Sequence, residues 1–120
     1  MIRIYGIRNC DSMKKAFAWL EAHDVAYEFH DYKKHGIEAA ALTRWLTRAA
    51  RSELINTRGT TWRKLNDTDK TIDNDADAVA LMATHPSLIK RPVIDTEEGV
   101  LLVGFDAARY ATALRGGQGE

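Results

Sequence analysis

Cys10, the one cysteine of the chain, lies between a predicted strand end and a predicted helix start. Free backbone N–H groups and the helix dipole at such a start favour an anion, and the thiolate is the nucleophile in cysteine chemistry. Arg8, Lys14 and Lys15 add positive charge nearby, and Asp11 partly opposes them. We therefore predict a reactive Cys10. The alternative is an inert cysteine buried in a core.

Two arginines are candidates for binding an anion beside this cysteine. Arg58 lies in a loop that contains glycine, and Arg91 directly precedes Pro92. The guanidinium group offers a planar fork of donors that suits an oxyanion or the carboxylates of glutathione. Spacing along the chain does not show whether either arginine reaches Cys10, and each could be an ordinary surface residue. Pro92 interrupts an apolar run, which indicates either an edge strand or a cis peptide bond.

The elements around Cys10 follow from residue patterns. Residues 3–7 are short and β-prone, and residues 26–32 alternate, so each stretch predicts a strand. Between them, an apolar face with helical spacing predicts a helix that ends near residue 23; its members are Met13, Ala16, Phe17 and Leu20. A strand, a helix and a strand in this order place the two strands in parallel.

The remainder of the chain is predicted to hold helices and then a hairpin. Apolar residues at helical spacing follow Gly36, a short turn or helix follows at 62–65, and residues 66–75 form a surface loop before a helix at 75–84. The further predicted elements are a strand at 87–94, a hairpin turn at 97–99, a strand at 100–103, and a helix at 107–114 capped by Asp106.

This order predicts an α/β protein with a thioredoxin-like fold, βαβ…ββα with a mixed sheet, and an inserted helical region. We predict one domain over residues 1–115, with the helical insertion at about 36–84 and a flexible tail at 116–120. A chain of 120 residues is about one domain long.

Composition limits the partners and the compartment. The formal net charge is zero, so a nucleic-acid partner is not predicted, and no apolar run is long enough to cross a bilayer. One cysteine cannot form an internal disulfide, which favours a reducing, cytoplasmic compartment. The four histidines lack the spacing of metal ligands, so no metal site is predicted.

Three segments carry a resemblance to a known family. They read YGIRNCDSMKK at residues 5–15, LINTRGTTWRKL at 54–65 and HPSLIKRP at 85–92. In combination they resemble the ArsC/Spx superfamily, most closely its YffB-type branch of arsenate-reductase-like proteins. The resemblance extends over residues 2–114.

The resemblance implies roles for particular residues. Cys10 would be the nucleophile, Arg58 and Arg91 would surround its anionic adduct, and Pro92 would be a cis-proline facing it. The resemblance also implies glutathione as co-substrate, glutaredoxin as a possible partner and no bound cofactor. The predicted substrate- or glutathione-binding residues are Asn9, Asp11, Ser12, Lys14, Arg58, Arg91 and Pro92.

The sequence departs from the arsenate-reductase pattern at four places. Gly6 replaces a histidine, Met13 replaces a serine, and residues 101–105 lack a further arginine; the loop arginine is displaced to Arg58, with Asn56 at its usual position. Loss of such donors weakens oxyanion stabilisation.

Because of these departures, arsenate reduction is not the first of the functions that the resemblance allows. We expect a glutathione-dependent thiol oxidoreductase. The alternatives are a true arsenate reductase coupled to glutathione and glutaredoxin, and a regulator that binds RNA polymerase like the Spx proteins. The Spx proteins typically carry a Cys-x-x-Cys switch, and Met13 occupies its second position in this chain.

Overall fold

The structure is a computed structural model that describes residues 1–96 and 98–114. It divides into two compact units, one formed by Met1–Asp31 with the segment from Arg91 onward, the other by Tyr32–Lys90. The predicted flexible tail at 116–120 and part of the predicted hairpin turn lie outside the described residues. The predicted domain limits stay a prediction.

The described elements comprise four strands, eight α-helices and one turn of 3₁₀ helix. The strands are β1 (Ile2–Gly6), β2 (Tyr27–Asp31), β3 (Val93–Asp95) and β4 (Leu101–Val103). The helices are α1 (Asp11–Ala22), α2 (Tyr32–His35), α3 (Ala39–Trp45), α4 (Arg51–Leu54), α5 (Thr60–Arg63), α6 (Asp67–Lys70), α7 (Asp75–Thr84) and α8 (Ala107–Leu114). The 3₁₀ turn is Pro86–Leu88.

The first unit is built on a mixed sheet with the strand order β2-β1-β3-β4. β1 pairs in parallel with β2, as the strand–helix–strand order requires, and β3 is antiparallel to both β1 and β4. The register aligns Phe29, Ile4, Ile94 and Leu102 in one row across the sheet. This arrangement is the predicted thioredoxin-like α/β sheet, and it places the end of β1 just before Cys10.

Helices α1 and α8 contribute to the apolar core of this unit. Met13, Ala16 and Leu20 are fully buried on one face of α1, at the spacing that the sequence predicted. They belong to one cluster with residues of the sheet and of α8. Asp106 caps α8 as predicted, because its side chain accepts a hydrogen bond from the N–H of Arg109 at 3.1 Å.

The second unit is helical, and its longest helix has the predicted bounds. α7 begins after Asn74, whose side-chain oxygen accepts a hydrogen bond from the N–H of Asp77 at 2.8 Å. α7 packs against α3. The large side chains Leu42, Trp45 and Met82 are fully buried in this unit.

Two predictions for residues 66–94 are wrong in detail. The predicted loop at 66–75 contains α6, because the Asn66 side chain accepts a hydrogen bond from the N–H of Asp69 at 2.7 Å and caps a short turn. The predicted strand at 87–94 begins only at Val93. Pro86 starts a 3₁₀ turn instead, and Ile89 makes an isolated antiparallel bridge to Ile55. Proline suits the first position of a helical turn but supplies no N–H to a sheet.

Across the part of the chain that the structure describes, every helix is too short or too polar to cross a membrane.

Candidate active site

Cys10 is the N-cap residue of α1. Its backbone is extended, with φ −145° and ψ 136°, and its carbonyl accepts a hydrogen bond from the N–H of Lys14 at 2.9 Å. The side chain is partly exposed and also packs against the core cluster. The sulfur therefore lies at the start of a twelve-residue helix, where the first N–H groups have no partner within the helix. The prediction that Cys10 lies between a strand and a helix is confirmed.

The surroundings of the sulfur favour its ionised form. Partial burial by itself raises the pKa of the Cys10 thiol, but the N–H groups of Met13 and Ser12 and the guanidinium of Arg91 outweigh that effect and lower the pKa. The Cys10 side chain makes no N-cap hydrogen bond. The two N–H groups thus favour the thiolate without a full cap hydrogen bond, and Arg91 is the charged partner.

Arg91 is the predicted anion-binding residue that the structure brings to Cys10. It lowers the thiol pKa both as a hydrogen-bond donor and through its charge. The Arg91–Pro92 peptide bond is cis, as the resemblance implies. Pro92 is buried, and its carbonyl accepts a hydrogen bond from the N–H of Gly104 at 2.8 Å. The role of Pro92 opposite Cys10 stays a prediction.

The other predicted charges near the cysteine contribute differently. The guanidinium of Arg8 lies over the ring of Phe29, 5.0 Å from its centroid. Lys14 and Lys15 are exposed, and the groups that lower the Cys10 pKa are two backbone N–H groups and Arg91. The expected contribution of Arg8 and the two lysines to the thiolate stays a prediction.

Three more predicted binding residues belong to the same turn. Asn9 and Asp11 are exposed, and Ser12 is partly exposed. Ser12 acts on the sulfur through its backbone N–H. Their contact with a substrate stays a prediction.

Arg58 lies in the helical unit, in a loop held by backbone and side-chain hydrogen bonds. The Asn56 side chain accepts a hydrogen bond from the N–H of Arg58 at 3.0 Å, and Arg63 donates to the Arg58 carbonyl at 3.0 Å. The N–H of Asn56 donates to the carbonyl of Leu88 at 2.7 Å. Arg58 is exposed. Its proposed action on a substrate of Cys10 stays a prediction.

Sequence reasoning missed the packing of Met13, three residues after Cys10, against Gly6. Gly6 is buried at the end of β1, and a Cβ atom built on it would lie 2.8 Å from Cε of Met13 and closer still to Sδ. The available signal was a glycine at the end of a strand with an apolar residue seven positions later. In the sequence alone, the two residues stand out only as departures from the arsenate-reductase pattern.

Within residues 1–96 and 98–114, no group of three or more His, Cys, Asp or Glu side chains is placed to hold a metal ion.

Comparison with known proteins identifies the family. The model of the ArsC family matches residues 5–113. The chain belongs to the ArsC family. A solved structure named YFFB protein shares 46% identity and a TM-score of 0.90, with 95% of this chain and 99% of that chain covered.

Two further relatives of this ArsC-family chain carry more specific names. An arsenate reductase (ArsC) related protein from Brucella melitensis is 45% identical with a TM-score of 0.70, and the match covers 95% of this chain and 94% of that one. The global transcriptional regulator Spx of Staphylococcus saprophyticus is 32% identical over 112 residues, which are 88% of this chain and 81% of the regulator. The predicted membership and thioredoxin-like fold class are confirmed, and the chain is arsenate-reductase-like.

Proposed function

We propose that this ArsC-family chain is a glutathione-dependent thiol oxidoreductase in which the Cys10 thiolate is the nucleophile and an external thiol resolves the adduct. The observation that carries the proposal is the partly exposed Cys10 sulfur, whose pKa is lowered by the N–H groups of Met13 and Ser12 and by Arg91. A lowered thiol pKa increases the fraction of the nucleophilic thiolate near neutral pH.

The proposed reaction is two successive thiol–disulfide exchanges. The Cys10 thiolate attacks the glutathione sulfur of a mixed disulfide between glutathione and a substrate thiol. A new sulfur–sulfur bond forms on Cys10, and the substrate sulfur leaves as a thiolate that takes a proton from water. A second glutathione thiolate then attacks the adduct, which releases glutathione disulfide and restores the Cys10 thiolate. The sulfur of the second glutathione is thereby oxidised to the disulfide level, and the substrate sulfur is reduced to a thiol.

The remaining predicted site residues have binding roles in this proposal. Arg91 stabilises the thiolate and pairs with a negatively charged group of the ligand, since its guanidinium already acts on the sulfur. We assign recognition of glutathione or the substrate to Asn9, Asp11, Ser12, Lys14, Arg58, Arg91 and Pro92. The chain has no second cysteine, which supports an external resolving thiol. Glutaredoxin is the proposed protein partner, and the cytoplasm, where glutathione is kept reduced, is the proposed compartment.

The test is turnover of a glutathione mixed disulfide by the purified chain. Glutathione disulfide production is measured with excess glutathione for the wild type and for Cys10→Ser, and circular dichroism verifies that both are folded. We expect turnover in the wild type and a rate at the uncatalysed background in Cys10→Ser, because a serine hydroxyl is not ionised at neutral pH. Arg109→Ala, a change on the exposed surface of α8, is the matched control and keeps full activity. Wild-type rates in Cys10→Ser would refute the proposal.

The two alternative functions are tested beside it. Arsenate replaces the disulfide in the same assay with glutathione and glutaredoxin, and turnover would move the assignment to arsenate reduction. The apolar Met13 side chain packed against Gly6 offers no hydrogen-bond donor to an oxyanion, which disfavours this outcome. Recovery of RNA polymerase subunits with the tagged chain would instead support an Spx-like regulator.

A further inference from the structure

The contact between Gly6 and Met13 joins the end of β1 to the first turn of α1. Gly6 is buried, and a Cβ atom at that position would overlap Sδ and Cε of Met13 unless the end of that side chain moved. The positive φ angles among the described glycines occur at Gly36, Gly99 and Gly104. Gly6 is therefore required for the space it leaves, not for an unusual backbone conformation.

Met13 also lies near the sulfur through its backbone. It is the third residue of α1, where the N–H faces the side chain of the N-cap residue, and this N–H lowers the pKa of the Cys10 thiol. Its side chain is fully buried and belongs to the same cluster as Ile4 and Ala16, against which Cys10 also packs. A close-packed side chain has little freedom to move without displacing its neighbours. One residue thus connects the packing beneath the site to the atoms around the sulfur.

We propose that Met13 is a positioning residue for Cys10: its side chain, seated on Gly6, fixes the first turn of α1 so that the Met13 N–H meets the sulfur. The importance of this role for turnover rests on the function proposed above. The effect on the thiol is measurable without any substrate, so failure of the two proposals can be distinguished.

The decisive variant is Gly6→Ala. The added methyl group meets Sδ and Cε of Met13, so the end of that side chain must move. Because the side chain is fully buried, we expect part of this movement to be passed to the first turn of α1. The readout is the rate of Cys10 alkylation by a neutral reagent as a function of pH. In Gly6→Ala the inflection moves to higher pH, and the rate below the inflection falls.

A matched core variant separates positioning from general loss of stability. Leu20 is fully buried on the same face of α1 as Met13, two turns further from Cys10. Met13→Ala and Leu20→Ala both lower the midpoint of urea denaturation. We expect Met13→Ala alone to shift the alkylation profile, while Met13→Leu, which retains the buried volume, stays near the wild type.

A double variant tests the contact itself. Met13→Ala removes the side-chain atoms that the added methyl group would meet. We therefore expect Gly6→Ala to shift the pH inflection of Cys10 alkylation less in a Met13→Ala background than in the wild type. An alkylation profile of Gly6→Ala that matches the wild type, or equal shifts in both backgrounds, would overturn the proposal. If Met13→Ala does not fold, the test is the comparison of Gly6→Ala with Leu20→Ala. Equal pH profiles of Cys10 alkylation in these two variants would refute the positioning role.

Discussion

The starts of α1 and α7 are two solutions to the same problem. Each helix begins with N–H groups that have no partner within the helix. At α7 the side-chain oxygen of Asn74 accepts a hydrogen bond from the N–H of Asp77 at 2.8 Å. At α1 the N-cap residue is Cys10, whose sulfur makes no regular cap hydrogen bond and instead has a lowered pKa.

The difference shows what a helix start gives up to become a reactive site. At α7, a neutral amide and the carboxylates of Asp75 and Asp77 complement the helix N-terminus. At α1, the N-cap place belongs to the ionisable Cys10 sulfur, Asp11 is the acidic residue of the first turn, and the guanidinium of Arg91 favours the thiolate, while the sulfur stays partly exposed. The first arrangement contributes stability at any pH near neutral. The second leaves a partly exposed, ionisable sulfur, which is the nucleophile of the proposed reaction.

The largest expected effect comes from removing the guanidinium that acts on the Cys10 sulfur. We predict that Arg91→Ala lowers kcat/KM for the glutathione mixed disulfide by about tenfold, because a hydrogen bond to a charged group contributes roughly 1.5–3 kcal/mol and partial exposure weakens it. Arg91→Lys, which keeps the charge but not the planar fork, gives an intermediate rate. Steady-state kinetics with Arg109→Ala as the control provide the check. A rate for Arg91→Ala equal to that control contradicts the prediction.

The next effect is on the α7 start and concerns stability alone. Asn74→Ala removes the side-chain acceptor for the Asp77 N–H, and we predict that it lowers the free energy of unfolding by about 1 kcal/mol. Urea denaturation measures the loss, and Asn74→Asp, which keeps an acceptor oxygen, restores most of it. The Cys10 alkylation profile should not change in either variant. A shifted profile would mean that the two helix starts are coupled.

The smallest effect is the pH dependence that distinguishes the two caps. The pKa of Cys10 is lower in the folded chain than in the unfolded chain, so between the two values the folded state binds fewer protons. The resulting stability is fully present above the unfolded pKa and is lost as the pH falls through the folded pKa. The unfolding free energy of the wild type relative to Cys10→Ala should therefore rise with pH through this window.

Urea denaturation at several pH values tests this third prediction. The effect is small because the sulfur is partly exposed. For Asn74→Ala the difference from the wild type should stay constant over the same range, because the side chain of Asn74 does not titrate. A wild-type advantage over Cys10→Ala that falls as pH rises would contradict the lowered thiol pKa.

Local patterns were sufficient to predict most elements of the fold. The apolar spacing of Met13, Ala16 and Leu20 predicted the buried face of α1, and the Asp106 cap predicted the start of α8. Short polar turns were harder. α6 was missed because a single capped turn at Asn66 resembles a loop in composition, and the 3₁₀ turn at Pro86 was hidden in an apolar run.

The site was predictable only where it depends on neighbours in sequence. The position of Cys10 before α1 follows from its flanking residues, whereas the approach of Arg91 depends on how β3 is placed beside β1. Arg8 was expected near the sulfur from sequence proximity, yet its guanidinium lies over Phe29 on the adjacent strand. The contact between Gly6 and Met13 forms only when α1 packs on the sheet, so the sequence of either segment alone does not predict it.

That contact also constrains how the chain can have diverged. A Cβ atom at position 6 would meet the end of the Met13 side chain, so any larger residue there requires that side chain to move or to be replaced. A replacement at either of the two positions therefore favours a compensating replacement at the other. Among descendants of a common ancestor, positions 6 and 13 are expected to change together.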